Sequence, residues 1–442
     1  MIITNGKIVT WGPDSQILEG QDLIIKDGLI ASIVPSSSYE TANEERVDAC
    51  GQLVMPGNMC AHTHYYGAFS RGWGYPGEPA ANFVEILQRL WWRLDKALSP
   101  QAVKYSALVC LVDAIKYGTT TLFDHHASPS CIDGSLDIEH DAMVEAGLRG
   151  SLCYEVTDRD GPQKALAGIR ENARFIERVT KGQADPKLRA HFGLHASLTL
   201  SDETLKACIE ANPCQAGYHV HAAEGIADEE DALEKYGKRV IARYKALGML
   251  GPKTILAHGV HCNQDEIEMI AESGAWLSHQ PRSNMNNAVG VAPIPAMLES
   301  GVKVCLGNDG FSNAMWSEMQ AAYFIHKDHR QDPRTMGGYD VMKMAIQNNS
   351  QLTSETFGGL RIGVIEPGAA ADIILVDYQT ITPLHAGNLA WHILFGFRDG
   401  MVSSTMVDGK WLMRDRRLLT LDEAEIAAKA REIAAETWNS ID

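Results

Sequence analysis

Four features are missing from this 442-residue sequence. It has no stretch of about 18 apolar residues, and its start, MIITNGKIVTWG, lacks the basic and apolar parts of a secretion signal, so we expect no membrane span and a cytoplasmic protein. Lysine and arginine form no basic run and the formal net charge is −17, which argues against nucleic-acid binding. The nine cysteines include no CxxC pair, which predicts reduced thiols rather than a disulfide framework.

The two ends of the sequence differ from its middle. Hydrophobic residues make up 45% of the chain, enough for one large core and a smaller accessory unit. Short apolar strands occur near both ends, with Asp-Gly hairpin signals at 27–28 and 408–409. We therefore expect a small β-sandwich domain built from residues 1–56 and 361–442, the second part ending in a helix, around a larger domain at 57–360.

The middle of the chain alternates short apolar strands with helical patterns, two of which open with a serine in the capping position, Ser99 and Ser201. This alternation favours a parallel α/β domain and, with eight strands, a (β/α)8 TIM-like barrel. The predicted strands lie in residues 53–64, 119–126, 150–156, 188–197, 217–224, 254–261, 275–281 and 303–310. His, Asp or Glu occurs at or near the carboxyl end of these strands, and the carboxyl ends of barrel strands form the catalytic face.

Four of these strand-end residues form a candidate metal site. His62 and His64 end the first strand, and residues two apart on a strand point to the same side. His221 ends the fifth strand, and Asp309 follows the eighth. Three imidazoles and one carboxylate predict one divalent metal with an open position for water, as catalytic sites require. Glu224, three residues after His221, can act as an acid/base without binding the metal.

Several motifs occur in a fixed order along the chain: HTH after VMPG, HxxE, AHG, SHxPxSNxxxxxGxAP and LGxDG. In this order they resemble the amidohydrolase superfamily. More narrowly, they resemble its aminohydrolase branch of guanine, cytosine and adenosylhomocysteine deaminases and triazine chlorohydrolases. The resemblance spans nearly the whole chain, and the segments 90–98, 124–137, 154–161 and 282–290 are most similar to SsnA-type aminohydrolases.

The resemblance implies the same four metal ligands and gives Glu224 the role of proton shuttle. It also implies that His258, together with Asp309, aims the attacking water and that His195 contacts the substrate. The Pro and aromatic residue that usually follow this histidine are replaced here, so we expect a different pocket floor. No lysine ends the fourth strand, where two-metal relatives carry a carbamylated lysine, which favours one metal.

A divalent metal lowers the pKa of its water to about 7, so that the water can attack a C=N or C=X carbon of a small heterocycle. The leading expectation is an aminohydrolase, or deaminase, that releases ammonia. The same site could instead release sulfide or chloride from a thioxo- or chloro-heterocycle, for example a thiohydantoin. Opening of a cyclic amide is a third alternative, and the missing lysine argues against it. Zinc is the expected metal, with iron and manganese as alternatives.

Further residues are predicted to contact the substrate, each with a structural alternative. Arg282 follows the seventh strand and either pairs with an anionic substrate or forms an ion pair in the barrel rim. Trp73, like the tryptophan pair at 91–92, either stacks on a heterocycle or packs in the core. His125 and His126 either line the pocket or bond to residues that do. The family also suggests a homodimer.

Overall fold

The computed structural model describes residues 1–11, 15–36, 38 and 44–441. The chain ends supply two sheets. In the first, the strand order is Leu29–Pro35, Gln21–Lys26, Ile2–Thr4 and Arg46–Asp48. In the second, four strands from the C-terminal end lie next to three from the N-terminal end, in the order Arg417–Leu418, Lys410–Arg414, Val402–Val407, Ile373–Val376, Leu53–Pro56, Lys7–Val9 and Ile17–Leu18. The antiparallel pair that joins the two ends places Ile374 opposite Met55.

Both Asp-Gly signals form the predicted hairpin turns. The φ angles are +51° and +77° at 27–28 and +52° and +72° at 408–409, the left-handed conformation that a tight two-residue turn requires. The two turns also touch, since a Cβ on Gly28 would lie 2.7 Å from Asp408 Oδ1. One apolar cluster fills the space between the two sheets, and it includes the buried Ile3, Leu23, Ile373 and Met406.

Two parallel sheets occupy the middle of the chain. One has the order Leu188–Ala190, Arg149–Leu152, Thr119–Asp124 and Asn58–Thr63. The other has the order Phe192–Ala196, Tyr218–Ala222, Ile255–His258, Trp276–His279 and Lys303–Leu306. Isolated parallel bridges link the edges of these sheets, Thr63 with Asp309 and Val156 with Leu194. Within the described residues the hydrogen bonding therefore forms two linked parallel sheets and not one continuous closed ladder.

Two predicted strands are divided in the structure. The strand expected at 188–197 breaks at His191, and its halves belong to different parallel sheets. The strand expected at 53–64 breaks at Gly57, where a Cβ would lie 2.3 Å from the Thr120 side chain. Because Gly57 has no side chain, the backbone can approach Thr120 closely there, and the chain passes from a terminal sheet into a parallel one. The run of apolar residues in the sequence does not reveal this change.

Helices pack on the parallel sheets, as buried parallel strands require. Ser99 and Ser201 cap their helices as predicted, each accepting a backbone N–H at 3.2 Å. The α-helices are Phe83–Ile86, Trp92–Leu94, Pro100–Lys116, Ser135–Ala146, Pro162–Thr180, Asp202–Ala211, Ile226–Tyr236, Val240–Ala246, Gln264–Ser273, Pro281–Asn286, Ile294–Glu299, Met315–Arg330, Gly338–Met342, Asn349–Thr356, Leu389–Gly396 and Glu423–Asn439. Short 3-10 or π segments are Tyr65–Ser70, Leu87–Trp91, Asp95–Ala97, Ser197–Thr199, Pro213–Gln215, Lys343–Asn348, Ala386–Asn388 and Asp399–Met401.

Two expectations about the whole chain can be compared with the structure. All nine cysteines are free thiols, as the sequence predicts. None of the helices in the described part of the chain is both long and apolar enough to cross a bilayer.

Candidate active site

The four predicted metal ligands meet at the carboxyl ends of the parallel strands. His64 Nε2 lies 3.0 Å from Asp309 Oδ1, and His62 Nε2 lies 4.0 Å from the same oxygen. His221 Nε2 lies 3.2 Å from His64 Nε2. The structure thus brings together residues from three distant parts of the sequence. We call these four residues the strand-end centre.

The imidazoles of the strand-end centre direct their Nε2 atoms toward one another. His64 and His221 each place Nδ1 against a backbone carbonyl oxygen, at 2.6 and 2.9 Å, and therefore donate their ring N–H there. His62 Nδ1 lies 2.9 Å from His219 Nε2, and its own Nε2 is buried with no hydrogen-bond partner. Burial lowers the pKa of His62 and of His221 well below the ordinary value, which keeps both imidazoles neutral.

Inward-facing lone pairs of this kind repel one another unless a cation lies between them. The His64 and His221 Nε2 atoms approach to 3.2 Å. Although burial lowers the pKa of His64, the carboxylates of Asp309 and Glu155 outweigh it and raise that pKa well above its ordinary value, so positive charge is favoured at this point. Three imidazole nitrogens and one carboxylate are a donor set that binds a divalent metal, and N–H groups anchored on carbonyl oxygens hold such ligands in place. The residues present therefore fit a resident metal ion.

Glu224 and His258 lie beside the strand-end centre, on the side of Asp309. His258 Nε2 is 3.4 Å from Glu224 Oε2 and 3.9 Å from Asp309 Oδ2. Its Nδ1 lies 2.8 Å from Asn284 Oδ1 and donates to it, which leaves Nε2 as an acceptor. Burial, and next the charge of Asp309, raise the pKa of Glu224 well above its usual range, so this carboxyl can hold a proton.

Two residues of this group have an uncommon backbone conformation. The φ angle is +77° at His258 and +57° at Asp309, in the left-handed region that residues with side chains seldom adopt. The backbone N–H of Asp309 donates to the carbonyl oxygen of His62 at 3.1 Å, and the Ser283 hydroxyl donates to the Asp309 carboxylate. Strained residues held in this way cluster at functional sites.

A cavity of about 630 Å³, counted out to its mouth, opens onto the strand-end centre. Its floor includes His64, His221, Glu224 and Asp309. Its walls are largely aromatic and aliphatic: Tyr66, Phe83, Leu87, Trp91, Trp92 and Leu198. His195, the predicted substrate contact, also lines the cavity. A concave apolar site with a few polar groups on its floor is typical of small-molecule binding.

Glu155 is a cavity residue to which the sequence analysis gave no role. It is buried, and its Oε1 lies 3.2 Å from the Nδ1 atoms of both His64 and His125, while its Oε2 lies 3.7 Å from His195 Nε2. Burial alone would raise the pKa of Glu155, but the surrounding imidazoles outweigh this and hold it well below the usual range. A signal was present, because Glu155 is the polar residue that follows the third apolar strand.

Arg282 does not lie in the cavity, and the expected contact with an anionic substrate does not fit its position. Its guanidinium pairs with the carboxylate of Glu318, which is fully buried, and donates to the Ser312 carbonyl oxygen at 2.9 Å. Its backbone N–H donates to the same carboxylate at 3.0 Å. The structural alternative, an ion pair beneath the rim, is the arrangement observed.

Two further predicted contacts also lie outside the cavity lining. His125 is fully buried, with Nε2 against the carbonyl oxygen of His219 at 3.0 Å and Nδ1 against Glu155, so both ring nitrogens face protein groups. Trp73 is half-buried and contacts Tyr75, with ring centroids 6.1 Å apart. The tryptophans at 91–92 line the cavity instead.

The sequence between residues 53 and 412 matches the model of the amidohydrolase family. The chain belongs to this family. It is 31% identical to a 5-methylthioadenosine/S-adenosylhomocysteine deaminase of Syntrophomonas wolfei, over 98% of each chain. It is also 31% identical to a 5'-deoxyadenosine deaminase of Methanosarcina acetivorans, covering 99% of this chain and 98% of that relative. The expected family, and a metal-dependent hydrolase acting on carbon–nitrogen bonds other than peptide bonds, are confirmed.

Among solved structures, an adenosine deaminase from Xanthomonas campestris with bound zinc is similar with a TM-score of 0.86. The two chains are 22% identical, and the match covers 99% of this chain and 98% of the other. This likeness shows a shared fold. Together with the family, it implies a TIM-barrel fold with an extra domain, which agrees with the mixed α/β content of this chain.

Proposed function

We propose that this protein removes the amino group from a neutral aminated heterocycle, with a 6-aminopurine nucleoside as the expected substrate. The observation that carries the proposal is the composition of the cavity that opens onto the strand-end centre. Its walls contain Tyr66, Phe83, Trp91 and Trp92, which offer flat faces to a planar ring. Among the described residues, no lysine or arginine lines it, whereas five carboxylates do. Such a cavity favours a neutral substrate over an anionic one.

The strand-end centre is the proposed site of one divalent metal, held by His62, His64, His221 and Asp309. Zinc suits this donor set, with iron and manganese as alternatives. When bound, a divalent metal lowers the pKa of the attacking water and so supplies a nucleophile near neutral pH. The tautomers fixed by the buried N–H donations of His64 and His221 support this assignment.

The chain's own groups carry the proton transfers. Glu224 takes one proton from the attacking water and delivers it to the ring nitrogen; the second proton of that water, released as the new C–O bond becomes a carbonyl, is transferred to the departing amino group, which leaves as ammonia. His258, fixed by Asn284, directs its Nε2 at this proton path, and Asp309 accepts a hydrogen bond from the water. Overall, water replaces the amino group by an oxo group. The raised pKa of Glu224 supports its assignment as a group that both accepts and donates a proton.

The curated relatives support the purine part of the proposal. Both of those described above are named as deaminases of adenosine derivatives that carry no phosphate. Release of sulfide or chloride from the same centre is not favoured by these relatives. His195 and Glu155 also line the cavity, His195 with its ring centroid 6.3 Å from that of Trp92, and we expect them to supply polar contacts to the substrate.

The test is a product assay on a panel of adenosine, 5'-deoxyadenosine, 5'-methylthioadenosine, adenosine monophosphate and a thioxo-heterocycle. We expect ammonia from one or more of the neutral nucleosides and little from the monophosphate. Sulfide from the thioxo compound without ammonia from any nucleoside would overturn the proposal. Equal turnover of adenosine and its monophosphate would overturn the preference for a neutral substrate.

The arrangement of the domains is also a proposal. We propose that the two linked parallel sheets form a (β/α)8 barrel over residues 57–360, and that residues 1–56 and 361–442 form a β-sandwich beside it. The parallel bridge of Thr63 with Asp309 supports closure, and the apolar cluster shared by the terminal sheets supports the sandwich. A homodimer and a cytoplasmic location stay predictions, which sedimentation and cell fractionation can check.

A further inference from the structure

A second group of potential ligands lies outside the cavity and takes no part in the proposed reaction. It consists of Asp124, which ends a parallel strand, His126, two residues later, and Glu139, in the helix Ser135–Ala146. Their exposed fractions are 0%, 0% and 1%. One ligand atom of each lies within 4.8 Å of the others. We call these three residues the buried cluster.

Four donor atoms of the buried cluster have no hydrogen-bond partner. They are Asp124 Oδ2, His126 Nδ1 and both carboxylate oxygens of Glu139. Among the described residues, no lysine or arginine pairs with either carboxylate, and the closest cationic candidate is His126 itself, whose Nδ1 lies 2.7 Å from Glu139 Oε1 without hydrogen-bond geometry. Burial raises the pKa of both carboxyl groups, that of Glu139 to about 8, so their negative charges need either a proton or a cation to compensate them.

The tautomer of His126 is fixed by its other ring nitrogen. The Ser128 hydroxyl donates its hydrogen to the Cys131 carbonyl oxygen at 2.7 Å, so it must accept from His126 Nε2, which lies 2.8 Å away. Neutral His126 therefore carries its proton on Nε2 and presents the Nδ1 lone pair to the two carboxylates. Burial also lowers the pKa of His126 to about 4, in agreement with a neutral ring.

We propose that Asp124, His126 and Glu139 bind a second divalent cation, separate from the strand-end centre. The four unpartnered donors complete a four-coordinate set, with Glu139 contributing both oxygens and the others one atom each. Two ionised carboxylates and a neutral imidazole carry two negative charges in total, which one divalent cation balances. Mixed oxygen and nitrogen donors suit zinc or manganese.

The position of the buried cluster indicates a structural role for this cation. Asp124 Oδ1 accepts the backbone N–H of Tyr65 at 2.8 Å, and Tyr65 directly follows His64. A cation that fixes the Asp124 carboxylate would therefore brace the turn that leaves the strand carrying the HTH motif. Since none of the three residues lines the cavity, the cation would not contact substrate.

The test counts total divalent metal per chain by elemental mass spectrometry on the full-length protein, expressed with zinc and manganese supplied. We expect two equivalents in the wild type and one in Glu139→Gln. Glu171→Gln is the matched control, because Glu171 is equally buried but accepts the backbone N–H groups of Gly134 and Leu136 at the start of the helix that carries Glu139. The control variant should keep both equivalents.

Two further measurements separate this site from the strand-end centre and from a folding defect. His62→Ala should lose one equivalent and keep the one in the buried cluster. Anomalous diffraction from wild-type crystals should give a peak roughly 2.0–2.3 Å from the donor atoms of Asp124, His126 and Glu139. An anomalous map with no peak there, or equal metal content in the wild type and a folded Glu139→Gln, would overturn the proposal.

Discussion

The strand-end centre and the buried cluster are built by the same local rules but differ in access. Both use polar residues at the ends of parallel strands, and both fix a histidine tautomer by donating one ring N–H to a protein oxygen. The strand-end centre opens onto a cavity of about 630 Å³, whereas the residues of the buried cluster are at most 1% exposed. The geometry of the ligands therefore indicates only that a site can bind a metal. Catalysis is indicated when the site is also open to substrate and has a proton-transfer group such as Glu224 beside it.

The largest effect should come from removing the proton-transfer group Glu224, which lies beside the strand-end centre and has no counterpart at the buried cluster. Glu224→Gln keeps the size and polarity of the side chain but cannot carry a proton, so we expect kcat to fall by about 100- to 10,000-fold. Metal content should stay at the wild-type value. Steady-state kinetics with elemental analysis check this, and near-normal turnover would assign the proton transfer to another residue.

A second prediction concerns Arg282. This residue belongs to one of the ordered sequence motifs, SHxPxSN, but makes no contact with the strand-end centre in the structure. Arg282→Met leaves the Glu318 carboxylate buried without its partner, so we expect the free energy of unfolding to fall by about 3–5 kcal/mol. Arg334→Met removes an arginine from an exposed pair and should change stability little. A denaturant titration measures both. A rise in KM for anionic substrates only, without loss of stability, would restore Arg282 as a substrate contact.

A third, smaller effect should come from the residue behind His62. His219→Ala removes the contact to His62 Nδ1, and loss of such a supporting group lowers metal affinity by about 10- to 100-fold. His191→Ala is the matched control, since this buried histidine bonds to Ser151 and touches no residue of the strand-end centre. Competition with a chelator gives both affinities. Equal losses in the two variants would indicate general destabilisation rather than a role in metal binding.

The smallest predicted effect concerns substrate binding by two tryptophans, Trp92 in the cavity wall and Trp73 outside it. Trp92→Leu removes a cavity wall, and loss of one aromatic contact should cost about 0.5–1.5 kcal/mol, a roughly 2- to 10-fold rise in KM. Trp73→Leu should leave KM unchanged, because Trp73 lies outside the cavity lining. The measurement is KM for one nucleoside with each of the two variants and the wild type. A larger effect of Trp73→Leu would show that the cavity walls have been wrongly identified.

The sequence predicts those features that depend on near neighbours or on strand geometry. The side-chain alternation in His62-Thr63-His64, the two Asp-Gly turns and the serine caps all follow from local rules, and each is found in the structure. The convergence of His221 and Asp309 on the same edge follows from the common direction of parallel strands.

Other features depend on partners that the sequence does not place. Glu318 lies 36 positions from Arg282, on another helix, so the choice between an ion pair and a substrate contact needed the tertiary structure. The division of the strand at His191 likewise depends on which sheet each half joins. Glu155 was visible as a strand-end residue, but its three histidine neighbours come from other strands.

The most direct test of the central claim, that water displaces an amino group from a neutral ring at the strand-end centre, is turnover of 5'-deoxyadenosine in water enriched in ¹⁸O. We predict equal amounts of ammonia and of an oxo product carrying the heavy oxygen, and a large loss of both in Glu224→Gln. Products without heavy oxygen, or consumption of the nucleoside without ammonia, would contradict it.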